Sequence, residues 1–322
     1  ERPRRASADW ACLGATSGTT GRPKLVPHGH RQVVATARAT GERLALRPGD
    51  ILGHLMPLHL AGGIRNGFFQ PLLNGATVNV LPTADLDAFV AAVAAGEVTC
   101  TSASFTMLRE LMARLAGGSR FERGRLRFVR VASGRLEPAE MDELEERLGV
   151  PVITGLASSE AGTIAQQGLP PARRVRGSVG PPVDCELRLV DDAGRDVARG
   201  EPGEVLLRGT QVFDGYFDDP ALNASSFVDG WFRMGDLGYL DEAGELFLVG
   251  RVKEQINRGG DKISPAEIDV VLRAMPGVAD AAAFAVPHPR LGEEVVAAVV
   301  PLPGAAVDEH ALLQRARDAL GA

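Results

Sequence analysis

The sequence predicts an α/β protein that has a large domain with mainly parallel sheet layers and a small α+β domain at its end. Three observations support this prediction. Up to about residue 154, short apolar runs alternate with helix-like amphipathic segments, as in layered α/β folds. After Pro170, short apolar runs sit between Gly and Asp turns, which indicates antiparallel strands in a small β-barrel-like part. After Arg251 the pattern becomes that of a compact α+β unit.

The first part of the chain is expected to begin with a short buried strand. A helix should follow until Arg47-Pro-Gly-Asp50, because proline and glycine stop helices. A charged amphipathic helix is expected at residues 138–148. The spacing predicts strands at 9–15, 51–57, 77–81, 98–104, 126–132 and 151–154, and helices at 32–46, 86–95, 107–115 and 138–148.

The later part is expected to hold shorter elements. A helix at 263–272 has Pro265 in its first turn, where proline is favoured. Strands are predicted at 186–190, 203–207, 245–249, 278–286 and 294–301, and a last helix at 308–320. We therefore predict a large domain over residues 1–249 and a small mobile domain over 250–322.

Composition narrows the class of function. The 322 residues are 45% hydrophobic, which is enough for a sizeable core. The net charge of −6, with no basic run, argues against nucleic-acid partners. No apolar run is long enough to span a membrane, and no signal-peptide core follows the N-terminus. Cys12, Cys100 and Cys185 lack metal or disulfide spacing, so we expect reduced thiols and a cytoplasmic location.

Residues 15–24, Ala-Thr-Ser-Gly-Thr-Thr-Gly-Arg-Pro-Lys, carry many short donors and one cation. Glycines allow close backbone approach, and hydroxyls, amides and a lysine suit a polyphosphate. A Walker A loop has its lysine directly after the glycine and before Ser or Thr, so a P-loop NTPase is excluded. The candidate phosphate-binding residues are Thr16, Ser17, Gly18, Thr19, Thr20, Gly21 and Lys24.

Two acidic residues stand in motifs further along the chain. Glu160 lies in Thr-Gly-Leu-Ala-Ser-Ser-Glu-Ala-Gly, and its carboxylate could bind Mg²⁺ beside phosphates. The alternative is a helix-capping glutamate. Asp236 lies in Gly-Trp-Phe-Arg-Met-Gly-Asp, and its two carboxylate oxygens suit two neighbouring hydroxyl donors. The alternative is an ordinary β-turn aspartate.

The phosphate loop, Glu160, the run 203–216, Asp236 and Arg251 occur in an order that resembles the adenylate-forming superfamily of acyl-CoA synthetases, peptide-synthetase adenylation domains and luciferases. The resemblance covers nearly the whole chain. It is greatest to oxalate–CoA ligase-like acyl-CoA synthetases, which share the Gly-Gly-x-Lys-Ile-Ser-Pro stretch and the Gly-Ser-Val-Gly run at residues 177–180.

The resemblance implies roles for individual residues. Thr16 and Lys24 would act on the β,γ-phosphates, Glu160 on Mg²⁺ and Asp236 on the two ribose hydroxyls. Lys253 would be the hinge about which the small domain rotates. Leu156 replaces the family's tyrosine, and Arg135 replaces a small residue. The implied nucleotide and thiol contacts are Ser133, Gly134, Ala157, Ser158, Ser159, Asp236, Arg251, Gly259 and Gly260, and the implied acid pocket is His59, Gly62, Gly155 and Leu156, with His59 and Gly62 on a loop.

The resemblance also implies a reaction. A carboxylic acid would react with Mg·ATP to give an acyl-adenylate and pyrophosphate, and the thiol of coenzyme A would then displace AMP. No aspartate near His59 is available to hold an α-ammonium group, which favours a plain carboxylic acid. The alternatives are a carrier-protein phosphopantetheine thiol as acceptor and a non-catalytic nucleotide-binding relative. Family members have a long segment before the phosphate loop and a late catalytic lysine, so we expect this chain to be truncated at both ends.

Overall fold

The computed structural model describes residues 10–16, 23–115, 121–132, 134 and 136–320. It divides into two compact units. The first comprises Glu1–Arg188, Leu206–Arg233 and Leu240–Phe247, and the second Leu189–Val205, Met234–Tyr239 and Leu248–Ala322. The boundary expected between residues 249 and 250 stays a prediction. No helix in the described ranges is long and apolar enough to cross a membrane.

A parallel sheet forms the centre of the first unit, as the sequence predicts. Its five strands have the order β4-β3-β5-β6-β7, and every neighbouring pair is parallel. The elements of this part are, in chain order, β1 (Trp10–Thr16), β2 (Lys24–Gly29), α1 (His30–Arg43), β3 (Ile51–His54), α2 (Ala61–Ile64), a π-helical segment (Arg65–Phe69), α3 (Gln70–Leu73), β4 (Thr77–Val80), α4 (Leu86–Ala94), β5 (Cys100–Ser104), α5 (Phe105–Leu115), β6 (Phe128–Ala132), α6 (Pro138–Leu148), β7 (Val152–Ile153), β8 (Gly155–Ser158) and β9 (Gly162–Gln166).

Helices α4, α5 and α6 bury one apolar face each in the main core of the first unit. Phe89, Leu111 and Leu144 are each about 1% exposed and belong to this core with Val129 of β6. Asp85 starts α4 by accepting a hydrogen bond from the Ala88 amide. A capping box formed with Glu140 starts α6. These signals explain why the sequence places both helices to within one residue.

The first predicted strand is present but is not buried. Among the strands that the structure describes, β1 pairs only with β2, in an antiparallel hairpin that sets Thr16 opposite Lys24. Leu13 of β1 is 48% exposed. The expectation of a buried strand is wrong because a two-stranded hairpin covers little of its own surface. β2 was not predicted, since its proline is unfavourable in a strand.

Helix α1 ends three residues before its predicted end. Ala45 has a positive φ of 45°, the Leu46 amide bonds to the Gly41 carbonyl, and the Ala45 amide bonds to the Glu42 carbonyl. This pair of bonds is a Schellman motif, with alanine in the usual glycine position. The apolar spacing continues to Leu46 because hydrophobic residues around such a motif still pack on the helix, so spacing alone overestimates the helix length.

The helical stretch 61–73 was also not predicted. Gly62 lies inside α2, so its expected placement on a loop is wrong. Glycine weakens helices, and three glycines in this stretch hide the helical pattern. Two of them are needed for packing: a Cβ on Gly63 would lie 2.0 Å from the Pro57 carbonyl oxygen, and one on Gly67 would lie 2.1 Å from Nδ1 of His54.

A second, five-stranded sheet corresponds to the predicted β-barrel-like part. Its order is β10-β11-β13-β12, and β14 pairs with β13. The long β13, which carries Asp236, was predicted only as a motif and not as a strand. The elements are β10 (Glu186–Val190), β11 (Gly203–Arg208), α7 (Pro220–Ser226), β12 (Phe227–Val228), β13 (Trp231–Leu240) and β14 (Leu246–Arg251).

The end of the chain is a compact α+β structure, as predicted. A four-stranded sheet has the order β16-β15-β18-β17, and Ile268 and Leu272 of α8 pack in one core with Val278 and Ala281. Pro265 is the first residue of α8, where its missing N–H is harmless. The elements are a 3₁₀ turn (Val252–Glu254), β15 (Ile256–Arg258), β16 (Asp261–Ile263), α8 (Pro265–Arg273), β17 (Val278–His288), β18 (Gly292–Pro301) and α9 (Glu309–Leu320).

Replacing Leu144 by alanine tests the core of the first unit. Leu144 is buried in the cluster shared by α4, α5 and α6. We expect Leu144→Ala to lower the free energy of unfolding by about 2–5 kcal/mol, through lost burial and a residual cavity. The exposed neighbour Glu146 provides the control, because Glu146→Ala should change it by less than about 0.5 kcal/mol. Urea unfolding of both variants measures the difference, and equal effects would contradict this view of the core.

Candidate functional site

Glu160 lies at the turn of the antiparallel hairpin formed by β8 and β9. Ser158 pairs with Gly162 across the turn, and Oγ of Ser158 accepts a hydrogen bond from the Ala161 amide at 3.0 Å. Gly162 has a φ of 68°, and a Cβ there would lie 2.4 Å from Oγ1 of Thr36. The turn is therefore fixed against α1 by a position that only glycine suits.

The carboxylate of Glu160 is half-buried and is held by a tyrosine. The Tyr216 hydroxyl donates to Oε1 of Glu160 at 2.9 Å, and the Phe213 amide donates to the Glu160 carbonyl at 2.8 Å. Burial raises the pKa of Tyr216, and the nearby Glu160 charge raises it further. Tyr216 therefore keeps its proton and remains a donor to the carboxylate.

Lys24 lies next to the tyrosine that holds the Glu160 carboxylate. Its Nζ lies 5.1 Å from the centre of the Tyr216 ring, within the range of a cation–π contact. The hairpin β1–β2 sets Thr16 directly across from Lys24, and the Phe217 amide donates to the Leu25 carbonyl. The structure thus brings the predicted Lys24 and Glu160 together through Tyr216. Ser17, Gly18, Thr19, Thr20 and Gly21 lie outside the described residues.

Tyr216 was not predicted as a site residue. A signal did exist in the sequence, because Tyr216 is one of only two tyrosines and lies in the run that carries the family resemblance. Its contact with Glu160 joins residues that are 56 positions apart, so only the fold reveals it.

Two buried basic residues lie behind the Glu160 turn and were also missed. Nη2 of Arg65 donates to the Ser158 carbonyl at 2.6 Å, and its Nη1 lies 3.0 Å from Nε2 of His28. The same His28 nitrogen lies 2.5 Å from the Ser159 carbonyl oxygen. Burial, followed by the Arg65 charge, lowers the pKa of His28 from 6.5 to about 4. His28 is therefore neutral at pH 7, and with its proton on Nε2 it donates to Ser159.

The residues predicted to line the acid pocket are spread over two segments. His59 is exposed on the turn after β3 and forms no hydrogen bond with Glu160 in the described part of the chain. Gly155 lies on β8, and a Cβ there would lie 2.6 Å from Oε1 of Gln166, which accepts a hydrogen bond from Arg130. Leu156 follows Gly155 and is half-buried.

The predicted nucleotide contacts near the adenine are described in part. Ala157 is exposed on β8, and Ser158 and Ser159 are half-buried beside Glu160. Gly134 has a φ of 148°, and a Cβ there would lie 2.1 Å from the Phe105 ring. Its neighbours Ser133 and Arg135 lie outside the described residues.

In the second unit, the predicted ribose residues form an ion pair. Nε of Arg251, at the end of β14, lies 3.0 Å from Oδ1 of Asp236 on β13. The Asp236 side chain is only 13% exposed, whereas Arg251 is open to solvent. Lys253 is exposed on the 3₁₀ turn that follows. Asp236 and Arg251 therefore contact each other from two paired strands, and Lys253 follows Arg251 by two residues.

Gly259 and Gly260 form the two-residue turn between β15 and β16, where Arg258 pairs with Asp261. Both have positive φ, at 65° and 107°, which two-residue hairpins of this kind require. The Gly260 amide also donates to Oδ1 of Asn257 at 3.1 Å. The turn itself therefore explains both glycines. A Cβ on Gly260 would meet nothing within 4 Å, so that side of the turn is open.

Mg²⁺ is the metal that the resemblance implies. Among the described residues, no group of three or more His, Cys, Asp or Glu side chains could hold a metal ion. Mg²⁺ commonly binds to one or two carboxylates and takes its other oxygens from water and substrate phosphates. A single half-buried carboxylate beside a lysine fits that pattern, so Glu160 is compatible with Mg²⁺ bound to a nucleotide.

Comparison with known protein families shows the family to which the chain belongs. Residues 1–217 match the AMP-binding enzyme family, and residues 267–322 match the AMP-binding enzyme C-terminal domain. The first match alone covers more than half of the chain. The chain belongs to the AMP-binding enzyme family, and the predicted resemblance to adenylate-forming enzymes is confirmed.

Individual relatives cover almost all of this chain. A probable CoA ligase, CCL9, from Humulus lupulus is 38% identical over 312 residues, which are 95% of this chain and 59% of that protein. Oxalate–CoA ligase from Arabidopsis thaliana is 36% identical over 307 residues, 94% of this chain and 60% of that protein. The crystal structure of ATP-bound MatB from Rhodopseudomonas palustris matches with a TM-score of 0.89 and 30% identity, over 98% of this chain and 62% of that one. The chain thus spans about 60% of the length of these proteins.

Two adjacent glycines in α2 give a matched test of the packing beside the site. Gly63→Ala should lower the free energy of unfolding by about 1–3 kcal/mol, because its Cβ would overlap the Pro57 carbonyl. Gly62→Ala meets nothing within 4 Å and should leave that energy unchanged or raise it by up to about 1 kcal/mol. Denaturant unfolding compares the two variants. A smaller effect at Gly63 than at Gly62 would show that the close packing is not real.

The lowered pKa of His28 predicts a pH dependence of stability. Between pH 6.5 and 4 the unfolded chain binds a proton at His28 that the folded chain does not, so the folded state loses stability as the pH falls through this window. His28→Asn should remove about 3 kcal/mol of that decline, since one pKa unit corresponds to about 1.4 kcal/mol. Urea unfolding at several pH values measures it, with the exposed His30→Asn as control. Equal slopes for the wild type and His28→Asn would refute this prediction.

Proposed function

We propose that the protein activates a carboxylic acid with Mg·ATP to an acyl-adenylate, releases pyrophosphate, and passes the acyl group to the thiol of coenzyme A. The observation that carries the proposal is the group of Lys24, Tyr216 and Glu160 beside the ends of the Thr/Gly-rich loop. Membership of the AMP-binding enzyme family supports it, as do relatives named as CoA ligases.

In the first step the protein mainly has to position the acid and ATP and to neutralise the phosphate charge. An oxygen of the acid attacks the α-phosphorus, and the bond from that phosphorus to the bridging oxygen of pyrophosphate breaks. Thr16 and Lys24 would hold the β,γ-phosphates. Glu160 would bind Mg²⁺, which shields phosphate charge when present. The Tyr216 hydroxyl donates a hydrogen bond to Oε1 of Glu160 and so fixes the orientation of the carboxylate.

The second unit would serve the nucleotide sugar and the thiol. Asp236 would accept hydrogen bonds from the two ribose hydroxyls while Arg251 holds its orientation through their ion pair. Lys253 lies at the start of the terminal α+β structure and would act as its hinge. The open side of the turn at Gly259 and Gly260 would pass the pantetheine arm, whose thiol sulfur attacks the acyl carbon and displaces AMP.

The substrate class follows from the segment around His59. This segment offers no aspartate for an α-ammonium group, which supports a plain carboxylic acid rather than an α-amino acid. The pocket residues proposed to select the acid are His59, Gly62, Gly155 and Leu156. The widely spaced cysteines favour a cytoplasmic location.

Acid-dependent exchange of pyrophosphate into ATP tests the proposal with the full-length gene product and a panel of carboxylic acids. At least one acid should support exchange. Glu160→Gln and Asp236→Asn should each lower the rate by about 100-fold or more, because charged contacts to the nucleotide are lost. Glu146→Gln, on the exposed side of α6, should leave the rate unchanged. Lack of exchange with every acid, or full activity of Glu160→Gln, would reject the proposal.

The acceptor is tested by supplying either coenzyme A or a holo-carrier protein to the same reaction. The proposal expects thioester formation with coenzyme A, and loading of the carrier protein alone would select the alternative acceptor. Binding of AMP in calorimetry without any exchange would instead identify a nucleotide-binding protein that lacks turnover.

A further inference from the structure

We propose that Arg65 and His28 are positioning residues that hold the Glu160 turn in the geometry needed for Mg·ATP. The inference rests on the proposed function, because Glu160 is the residue proposed to bind the metal. It concerns two side chains that the sequence does not single out and that lie on segments far from Glu160 in the chain.

Arg65 is buried, with only 5% of its surface exposed. It forms no ion pair with an acidic side chain in the described part of the chain. Burial lowers the pKa of Arg65, and the charges of Cys12 and Glu160 partly oppose that shift, so hydrogen bonds and the Glu160 charge together compensate the buried cation. All three guanidinium nitrogens have near neighbours: Nη2 donates to the Ser158 carbonyl, Nη1 faces His28, and Nε contacts the Ala61 carbonyl at 3.4 Å. A buried cation is costly unless it is well solvated by protein groups, which indicates that these contacts are not incidental.

The two acceptor carbonyls immediately precede Glu160. Arg65 binds the Ser158 carbonyl and His28 binds the Ser159 carbonyl, so the two peptide groups leading into Glu160 are both fixed. On the far side, the Phe213 amide binds the Glu160 carbonyl. The bond from Arg65 comes from a charged donor in buried surroundings, and hydrogen bonds of this kind are among the stronger ones. The Glu160 backbone is therefore held from both directions before any ligand arrives.

The backbone that carries Arg65 is itself tightly packed. Arg65 is the first residue of the π-helical segment, and π-helical turns change the direction in which following side chains point. Gly63 lies against the Pro57 carbonyl and Gly67 lies against His54, in both cases too close for a Cβ. Arg65 is thus presented from a segment that has little freedom to move.

These contacts give Arg65 an indirect role. Its Nη2 donates to the Ser158 carbonyl, its Nε contacts the Ala61 carbonyl and its Nη1 lies against the His28 ring, so it acts on the reaction through the position of the turn and not by touching substrate. A purely structural arginine would affect the whole first unit. A positioning arginine should affect the Glu160 hairpin and the use of Mg·ATP selectively.

Hydrogen exchange of the full-length protein tests the first consequence and does not depend on activity. In Arg65→Met, peptides covering residues 155–166 should exchange about tenfold faster, and His28→Leu should act in the same direction. Peptides covering residues 278–301 and the α4–α6 core should be unchanged. Arg38→Met, which alters an exposed arginine on α1, is the matched control and should leave every peptide unchanged.

Kinetics of acid-dependent ATP–pyrophosphate exchange test the second consequence. Arg65→Met should raise the KM for Mg·ATP roughly tenfold and leave the KM for the acid within twofold. Arg65→Lys, which keeps the charge with fewer donors, should recover part of the loss. In a Glu160→Gln background, Arg65→Met should produce no further change in the residual rate or in Mg·ATP affinity, because both substitutions act through the same carboxylate.

The outcomes separate the two proposals. Absence of acid-dependent ATP–pyrophosphate exchange in the wild type rejects the proposed function. Hydrogen exchange then still decides the role of Arg65. The positioning role would be overturned if Arg65→Met had the ATP–pyrophosphate exchange kinetics of the wild type and its residues 155–166 were as well protected from hydrogen exchange as in the wild type. Faster hydrogen exchange throughout the first unit would also overturn it, since Arg65 would then support the general fold. Additive effects of Arg65→Met and Glu160→Gln would contradict action through Glu160.

Discussion

A half-buried carboxylate that is proposed to face a ligand needs a fixed backbone and few free rotations, and the Glu160 turn obtains both from distant parts of the chain. Tyr216 holds one carboxylate oxygen, the Phe213 amide holds the main chain, and Arg65 and His28 hold the carbonyls before it. These contacts link residues 56, 93 and 131 positions apart. The site therefore depends on correct assembly of the whole first unit, and no short segment could form it alone.

A second buried arginine, Arg130, contacts the β8–β9 hairpin that carries Glu160. Arg130 of β6 is fully buried, and burial lowers its pKa to about 10, while Gln166 accepts a hydrogen bond from its Nε at 2.6 Å. Gln166 in turn donates to the Thr154 carbonyl at the start of the β8–β9 hairpin. Arg130 thus contacts an amide oxygen and a hydroxyl, and Arg65 contacts two main-chain carbonyls and an imidazole. Such polar groups lower the cost of burying a cation without placing a competing carboxylate near Glu160.

The sequence predicts the local parts of this molecule well. Helices α4 and α6 have clear caps and apolar spacing, and Glu160, Asp236 and Arg251 lie in recognisable motifs. The prediction fails where tertiary contacts decide. Glycines that permit close packing conceal the helical stretch 61–73, and a proline obscures β2. Nothing local distinguishes Arg65 or His28 from surface residues, because their importance comes from partners far along the chain. The joint arrangement of the phosphate loop, Glu160 and Asp236 remains a prediction.

The pairing of Thr16 with Lys24 has a consequence for the nucleotide binding proposed for the chain between them. Both ends of residues 17–23 are tethered side by side by the β1–β2 hairpin, so the entropy of bringing those ends together is already lost before binding. If residues 17–23 bind the proposed triphosphate, closing this stretch around it would therefore cost less entropy than closing a segment with free ends. A change in the length of this stretch would leave the paired residues Thr16 and Lys24 in place, with Lys24 still over the Tyr216 ring.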